Sequence, residues 1–208
     1  MFVPAAFAFT GQAQQLAFIE QYPFAVLTTG DLQATHLPML VNLQGNSVTL
    51  LGHVARGNPH WRALDNTPAL AVFSGPHAYI SPKWYASEPN VPTWNYVAVH
   101  AKGTLQIMTD SELLAAIDEL MATFEPDFAQ QEAGEAYDVY RQKLLKGIVG
   151  ITLHVEHLKG VRKLGQHKSQ ADQAGVSKGL RSTDNYESLA LLNYMQRHDI
   201  GYANEEID

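Results

Sequence analysis

The sequence predicts an α+β protein built on a small antiparallel barrel, with helices between and after the strands. Three observations carry this. From Phe24 to Val54 the chain reads as three strand-like segments, joined by the short turns Gly30-Asp31 and Gln44-Gly45-Asn46, which implies consecutive antiparallel pairing. The hydrophobic period then changes to a helical one at Asp110 to Met121 and again at Tyr186 to Arg197. With 208 residues, 46% of them apolar, the chain suits one domain, or one domain with an appended piece, and can bury a sizeable core.

Taken in order, Gly11 to Ile19 predicts a short helix, with Thr10 as its cap, ending before Pro23. Phe24 to Thr29, Ala34 to Asn42 and Ser47 to Val54 are the three strands, and Pro38 inside the second points to an edge or a bulge. A short helix follows over Pro59 to Leu64. Ala69 to Ser74 is the next strand, with Ala78 to Ser81 as its expected partner across Gly75-Pro76. Pro82 to Thr93 is irregular, and a loop of that length in a compact domain is more often functional than idle.

Trp94 to Met108 alternates and makes a long strand in which Gly103 marks a candidate bulge. Asp110 is the expected cap of the helix that carries Leu113, Leu114, Ile117, Leu120 and Met121 on one face. A second helix, about 136–146, leads into a β-branched strand from Ile148 to His157, with a further short strand expected over Val161 to Gln166. From Ser169 the chain is polar and helical, with turns expected at Gly175, Gly179 and Asn185.

Composition removes several classes of function. Fourteen basic against 21 acidic residues give a formal charge of −7, which supplies no general footprint for nucleic acid or anionic membrane. Cysteine is absent, which excludes disulfides, thiolate metal sites and a cysteine nucleophile. The start lacks a basic segment ahead of its apolar residues, and no apolar run approaches the ~18 residues of a membrane span, so cytoplasmic residence is expected. Nine histidines form no metal-ligand pattern: His154 and His157 are offset by three on a predicted strand and face opposite sides, and no metal is expected. No Gly-x-Ser-x-Gly elbow, phosphate loop or Gly-x-Gly-x-x-Gly occurs.

What remains is a set of polar and aromatic residues in places that ordinary cores avoid: Thr35-His36, His53, Arg56-Gly57-Asn58, Trp94-Asn95-Tyr96 and Gln166-His167-Lys168. At the end of the third strand, Gly57 frees the backbone, Asn58 is a good N-cap and Pro59 suits the first helical position. With Arg56 beside it, that turn is a candidate seat for an anion; an ordinary strand-to-helix turn is the other reading. Together the residues suit a flat, polar-edged ligand with a phosphate tail. Arg56, the turn amides and Lys168 would hold the anion, and the amides of Asn95 and Gln166 would meet a heteroaromatic ring. Trp94 and Tyr96 serve equally as core or dimer packing.

Four ordered stretches closely resemble the PaiB family of FMN-binding negative transcriptional regulators. They are Thr35-His36-Leu37-Pro38, Leu51 to Trp61, Gly75 to Tyr85 and Pro92 to His100, and the likeness continues through Gly147 to Gly150 and Lys163 to Gln166. The resemblance implies an FMN-binding split β-barrel of antiparallel, Greek-key type, related to pyridoxamine phosphate oxidases, over residues 1–168. Residues 169–208 would be a helical extension packing on the barrel or on a dimer partner. It also implies a homodimer with flavin at the interface. Ala55, Arg56 and Asn58 would hold the phosphate, Trp94 and Asn95 with Gln166 would approach the ring, and Thr35, His36, His53 and Lys168 complete the expected cofactor-binding set. The late segment departs from the family pattern at Arg162, Gly165 and His167. Three functions are open on this basis: an FMN-binding regulator acting through a DNA or protein partner, a flavin-dependent oxidoreductase or flavin reductase acting on a small molecule, and a binding module without cofactor. No catalytic residue is named by the sequence.

Overall fold

The structure is a computed structural model that describes residues 1–127 and 134–204; the last four residues of the expected C-terminal extension lie outside them. In chain order the elements are β1 (Ala8–Phe9), α1 (Gln12–Gln21), β2 (Phe24–Thr29), β3 (Ala34–Pro38), β4 (Leu40–Gln44), β5 (Ser47–Ala55), a 3-10 turn (Pro59–Ala63), β6 (Thr67–Ile80), a second 3-10 turn (Pro82–Trp84), β7 (Thr93–Ile107), α2 (Asp110–Phe124), α3 (Glu135–Leu145), β8 (Ile148–Lys163), α4 (Gln170–Ser182) and α5 (Tyr186–His198). The chain divides into two discontinuous compact units: Gln12–Phe73 with His100–Leu158, and Met1–Gly11 with Ser74–Val99 and Lys159–Asp208. The long strands β6, β7 and β8 contribute a segment to each.

The first unit is a curled antiparallel sheet in the order β3-β2-β6-β7-β8-β5-β4. Its two ends are consecutive in sequence. The expected single strand over 34–42 is therefore two strands: β3 pairs with β2, β4 pairs with β5, and Met39 turns the corner with its N–H donating to Pro23 O at 2.9 Å. Pro38 lies on an end strand, where its missing N–H costs no ladder bond. Near this corner β5 runs against β3: a Cβ on Gly52 would sit 3.0 Å from Leu37 Cδ1 and 3.1 Å from the Pro38 carbonyl. Period-2 alternation sends Leu27, Leu37, Leu50, Leu105, Ile151 and Leu153 inward, where each is almost fully buried. Helix α2 begins with a capping box. Thr109 accepts from Glu112 N, the Glu112 carboxylate accepts from Thr109 N at 2.7 Å, and Asp110 is the first helical residue instead of the cap.

The second unit holds β1, the remaining segments of β6, β7 and β8, and helices α4 and α5. Phe9 of β1 pairs with Gly160 of β8. No hairpin forms at Gly75-Pro76; β6 runs straight through, and its inward alternation slips by one residue there, because both residues are buried. Residues 161–163 continue β8 instead of forming a separate strand. Gly175 and Gly179 lie inside α4 and make no turns. They make room instead: a Cβ on Gly175 would overlap the Trp84 carbonyl, and one on Gly179 would overlap the Trp84 ring. The 82–93 loop is fastened to the same helix, since Ser87 donates to the Asp172 carboxylate from its N–H at 2.8 Å and from its hydroxyl at 2.9 Å. Among the described residues no helix is long and apolar enough to cross a membrane.

Candidate functional site

The expected site residues fall into two groups, one in each unit. In the first, β5 ends at Ala55, opposite Ile148 of β8, and the chain turns through Arg56, Gly57 and Asn58. Asn58 caps the following helix as expected, its side chain accepting from His60 N at 3.1 Å. That helix is a 3-10 turn of five residues, too short for a helix dipole to matter. The Arg56 N–H is paired with Gly147 O and the Asn58 N–H with Ala55 O. Of the side chains at this turn, it is the Arg56 guanidinium that can offer an anion charged donors.

Arg56 is exposed, and its head is held in place. Nε donates to Lys146 O at 2.9 Å and Nη2 to Ile148 O at 3.0 Å, so the side chain closes the end of α3. A guanidinium has five N–H donors, and these bonds leave three of them free. The arginine lines a cavity of about 550 Å³ with Lys146, Gln142, Asp110, Ser111 and Leu113. Two cations against one carboxylate give it a positive excess, and its size suits a mononucleotide.

Behind the turn lies a polar chain centred on the buried His60, which is 1% exposed. Asn58 Nδ2 donates to Thr35 Oγ1 at 3.0 Å, Thr35 Oγ1 meets His60 Nδ1 at 2.8 Å, His60 Nε2 meets Thr29 Oγ1 at 2.7 Å, and the Thr29 hydroxyl donates to Asp31 Oδ1 at 2.5 Å. An amide nitrogen only donates and a carboxylate only accepts. For a neutral imidazole every direction follows: the Thr35 hydroxyl donates to Nδ1, and Nε2–H donates to Thr29. The Thr29 bond, with those from Gln33, holds the Asp31 carboxyl below the usual carboxylate range. Thr35 can thus offer a ligand only an acceptor lone pair. Replacing His60 by leucine, which fills the space and pairs with nothing, is expected to take one hydrogen bond from each of the two hydroxyls and lower unfolding free energy by about 1–3 kcal/mol in urea titrations.

The pleat separates the other expected residues of this unit. His36, next to Thr35, is exposed on the opposite side of β3, its ring 6.2 Å from that of Phe24. His53 lies opposite Gly150 of β8, and burial pushes its pKa down.

In the second unit, neighbours on β7 also part company. Trp94 is 54% exposed and Asn95 3%. Asn95 faces a closed cluster with Tyr85, Leu164, Gly165 and Gln173. Gln166 is engaged on every side by backbone: Oε1 accepts from Leu164 N at 2.9 Å, and Nε2 donates to Arg162 O at 2.6 Å and Ala6 O at 3.1 Å. Lys168 donates to Asn90 Oδ1 at 2.6 Å and lies 4.6 Å from the Tyr85 ring centroid. These contacts bind the N-terminus and the 82–93 loop to the segment after β8. Sequence reading passed over His60, Lys146 and Asp172. Asn-Pro-His after a strand hinted at the first, but its threonine partners lie 25 and 31 residues away in the chain.

Residues 1–157 match the family described as "Putative FMN-binding domain". The chain is 33% identical over 204 residues to "Protease synthase and sporulation protein PAI 2" of Bacillus subtilis, covering 94% of this chain and 97% of that protein. The chain belongs to this FMN-binding-domain family and is a PaiB homologue. Two solved structures share the fold: the flavocytochrome Anf3 from Azotobacter vinelandii (TM-score 0.60, 13% identity, 77% of this chain and 71% of that one), and the FAD and heme binding protein from Mycobacterium smegmatis (TM-score 0.57, 18% identity, 76% and 74%). The curled sheet is a split β-barrel with a helical C-terminal extension.

Proposed function

We propose that the protein binds FMN through the Arg56 turn and acts as a cytoplasmic, homodimeric regulator of PaiB type. The observation that carries the cofactor is the Arg56 guanidinium: oriented by two backbone carbonyls, with three donors free, beside Lys146 in a cavity of about 550 Å³, within the stretch that matches the FMN-binding family. A fixed planar fork suits a phosphate because it binds bidentately with little loss of side-chain freedom. Arg56 and Lys146 would hold the 5′-phosphate, with Ser111 and Gln142 as neutral partners, while Asn58 and the His60 chain keep the turn in shape. Asn95, Gln166 and Lys168 are assigned to fastening the second unit. Flavin, when bound, supplies one- and two-electron redox chemistry. Large apolar side chains left exposed on the first unit, Phe24 and Leu43, support self-association.

The flavin-binding names of the structural neighbours favour a second reading equally, a flavin-dependent oxidoreductase acting on a small molecule. One preparation separates the two. Protein reconstituted with FMN is expected to shift promoter DNA, alone or with a partner, and to leave NADH and NADPH unoxidised; rapid bleaching of the flavin band by either nucleotide would favour the enzyme.

A further inference from the structure

We propose that the second unit carries a binding site for a small organic ammonium ion, built from Tyr79, Trp84, Trp94, His77, Thr183 and Glu187, and independent of the flavin reading. These six residues line a cavity of about 290 Å³. Its walls are aromatic. The Trp94 ring centroid lies 6.2 Å from Tyr79, edge to face, and 6.2 Å from His77. Trp94 and Tyr79 stay 54% and 44% exposed, a poor arrangement for rings whose only task is to fill a core. Trp84 is set by α4, whose Gly179 leaves space for the indole and for nothing larger than hydrogen beneath it.

The polar complement of this cavity is one carboxylate and several acceptors, with the amide of Asn185 and the hydroxyl of Ser188 as neutral groups and no cation. Glu187 is the only charged residue among those that line it. The carboxylate sits in the first turn of α5, where Asn185 already caps the helix by accepting from Glu187 N at 2.8 Å; a full negative charge outweighs the residual half-charge of the helix end. His77 Nδ1 lies 3.3 Å from Gly75 O, and a carbonyl can only accept, so in a neutral imidazole Nδ1 carries the proton and Nε2 is left as an acceptor. The Thr183 hydroxyl donates to Leu180 O at 2.7 Å, which leaves its oxygen lone pairs. Electron-rich ring faces and acceptors without a cation select a positively charged donor, by cation–π attraction and by Coulomb pairing. The same set disfavours a phosphate, which would meet Glu187 with no basic partner.

The test uses the full chain, with benzylammonium as the probe and benzyl alcohol as its neutral counterpart, at pH 8 and about 0.15 M salt. The chain has three tryptophans, so the indole N–H region of a nitrogen-15 NMR spectrum reports the site directly. Benzylammonium is expected to shift the Trp84 and Trp94 signals saturably and to leave Trp61 in place, with at least about tenfold tighter binding than benzyl alcohol. Glu187→Gln, which keeps the shape and removes the charge, is expected to erase that preference; Trp94→Leu is expected to weaken benzylammonium binding further. Equal affinity for the two probes, an unchanged preference in Glu187→Gln, or still Trp84 and Trp94 signals at about 10 mM benzylammonium would each overturn the proposal.

Discussion

Arg56→Ala is expected to weaken FMN binding by about 10- to 100-fold while changing riboflavin binding by less than about 3-fold, the difference reading out the phosphate. The magnitude follows from the loss of charge-assisted hydrogen bonds, each worth about 1.5–3 kcal/mol where a fixed donor meets an ionised acceptor. The same substitution removes the donors that close the end of α3 at the Lys146 and Ile148 carbonyls, so the apoprotein is also expected to melt a few degrees lower. Arg56→Lys separates these effects: it keeps the charge and loses the fork, and should fall between wild type and alanine for FMN. Equal losses for FMN and riboflavin in Arg56→Ala would show that the side chain supports the fold without meeting the phosphate. Flavin fluorescence titration against both ligands measures all of this.

Gly103→Ala is expected to be among the most damaging single substitutions in the chain. Gly103 lies on β7, the neighbour of β8 in the sheet, and a Cβ there would overlap the carbonyl oxygen of His154 and crowd Val155 Cα. Backbone cannot move aside as the tip of a flexible side chain can, so the two strands must separate and give up ladder bonds. A loss above about 4 kcal/mol follows, enough to leave most of the protein insoluble or unfolded at 37 °C. Thr104→Ala, one residue on, removes only a hydrogen bond from Thr104 to Glu156 at 2.8 Å near the surface, and is expected to cost no more than about 1 kcal/mol. Urea midpoints of the two variants decide the matter. A wild-type midpoint for Gly103→Ala would mean that the strands do not approach so closely.

The sequence was most informative where the determining interactions are local. Period-2 alternation located β2, β5 and β7, and the apolar face of α2 located that helix. Asn58 and Pro59 marked their turn because a cap and a fixed φ act within two or three residues. Most errors arose where a distant neighbour decides the outcome. One error was local: Thr109 competes with Asp110 for the cap, and the Thr109-x-x-Glu112 box wins by satisfying two backbone donors. Ala34 to Asn42 reads as one strand-like segment, and only the pairing of its halves with β2 and β5 shows that Met39 is a corner. Gly175 and Gly179 carry the composition of turns, yet the helix persists because Trp84 needs the space.

The candidate site divides the same way. Arg56 stands out beside a glycine and a cap, whereas its carbonyl partners lie about ninety residues further on. Thr35 and His36 look like a pair in sequence and are separated by the pleat. Asn95, Gln166 and Lys168 have side chains suited to a ligand, yet the fold buries Asn95 and gives Gln166 and Lys168 internal partners that spacing could not reveal.

The most direct test of the cofactor assignment is a side-by-side titration of the purified full chain with FMN and riboflavin, followed by flavin fluorescence. FMN is expected to bind with quenched emission, at least about tenfold more tightly than riboflavin. Failure to bind FMN, or equal affinity for the two, would contradict a phosphate seat at Arg56.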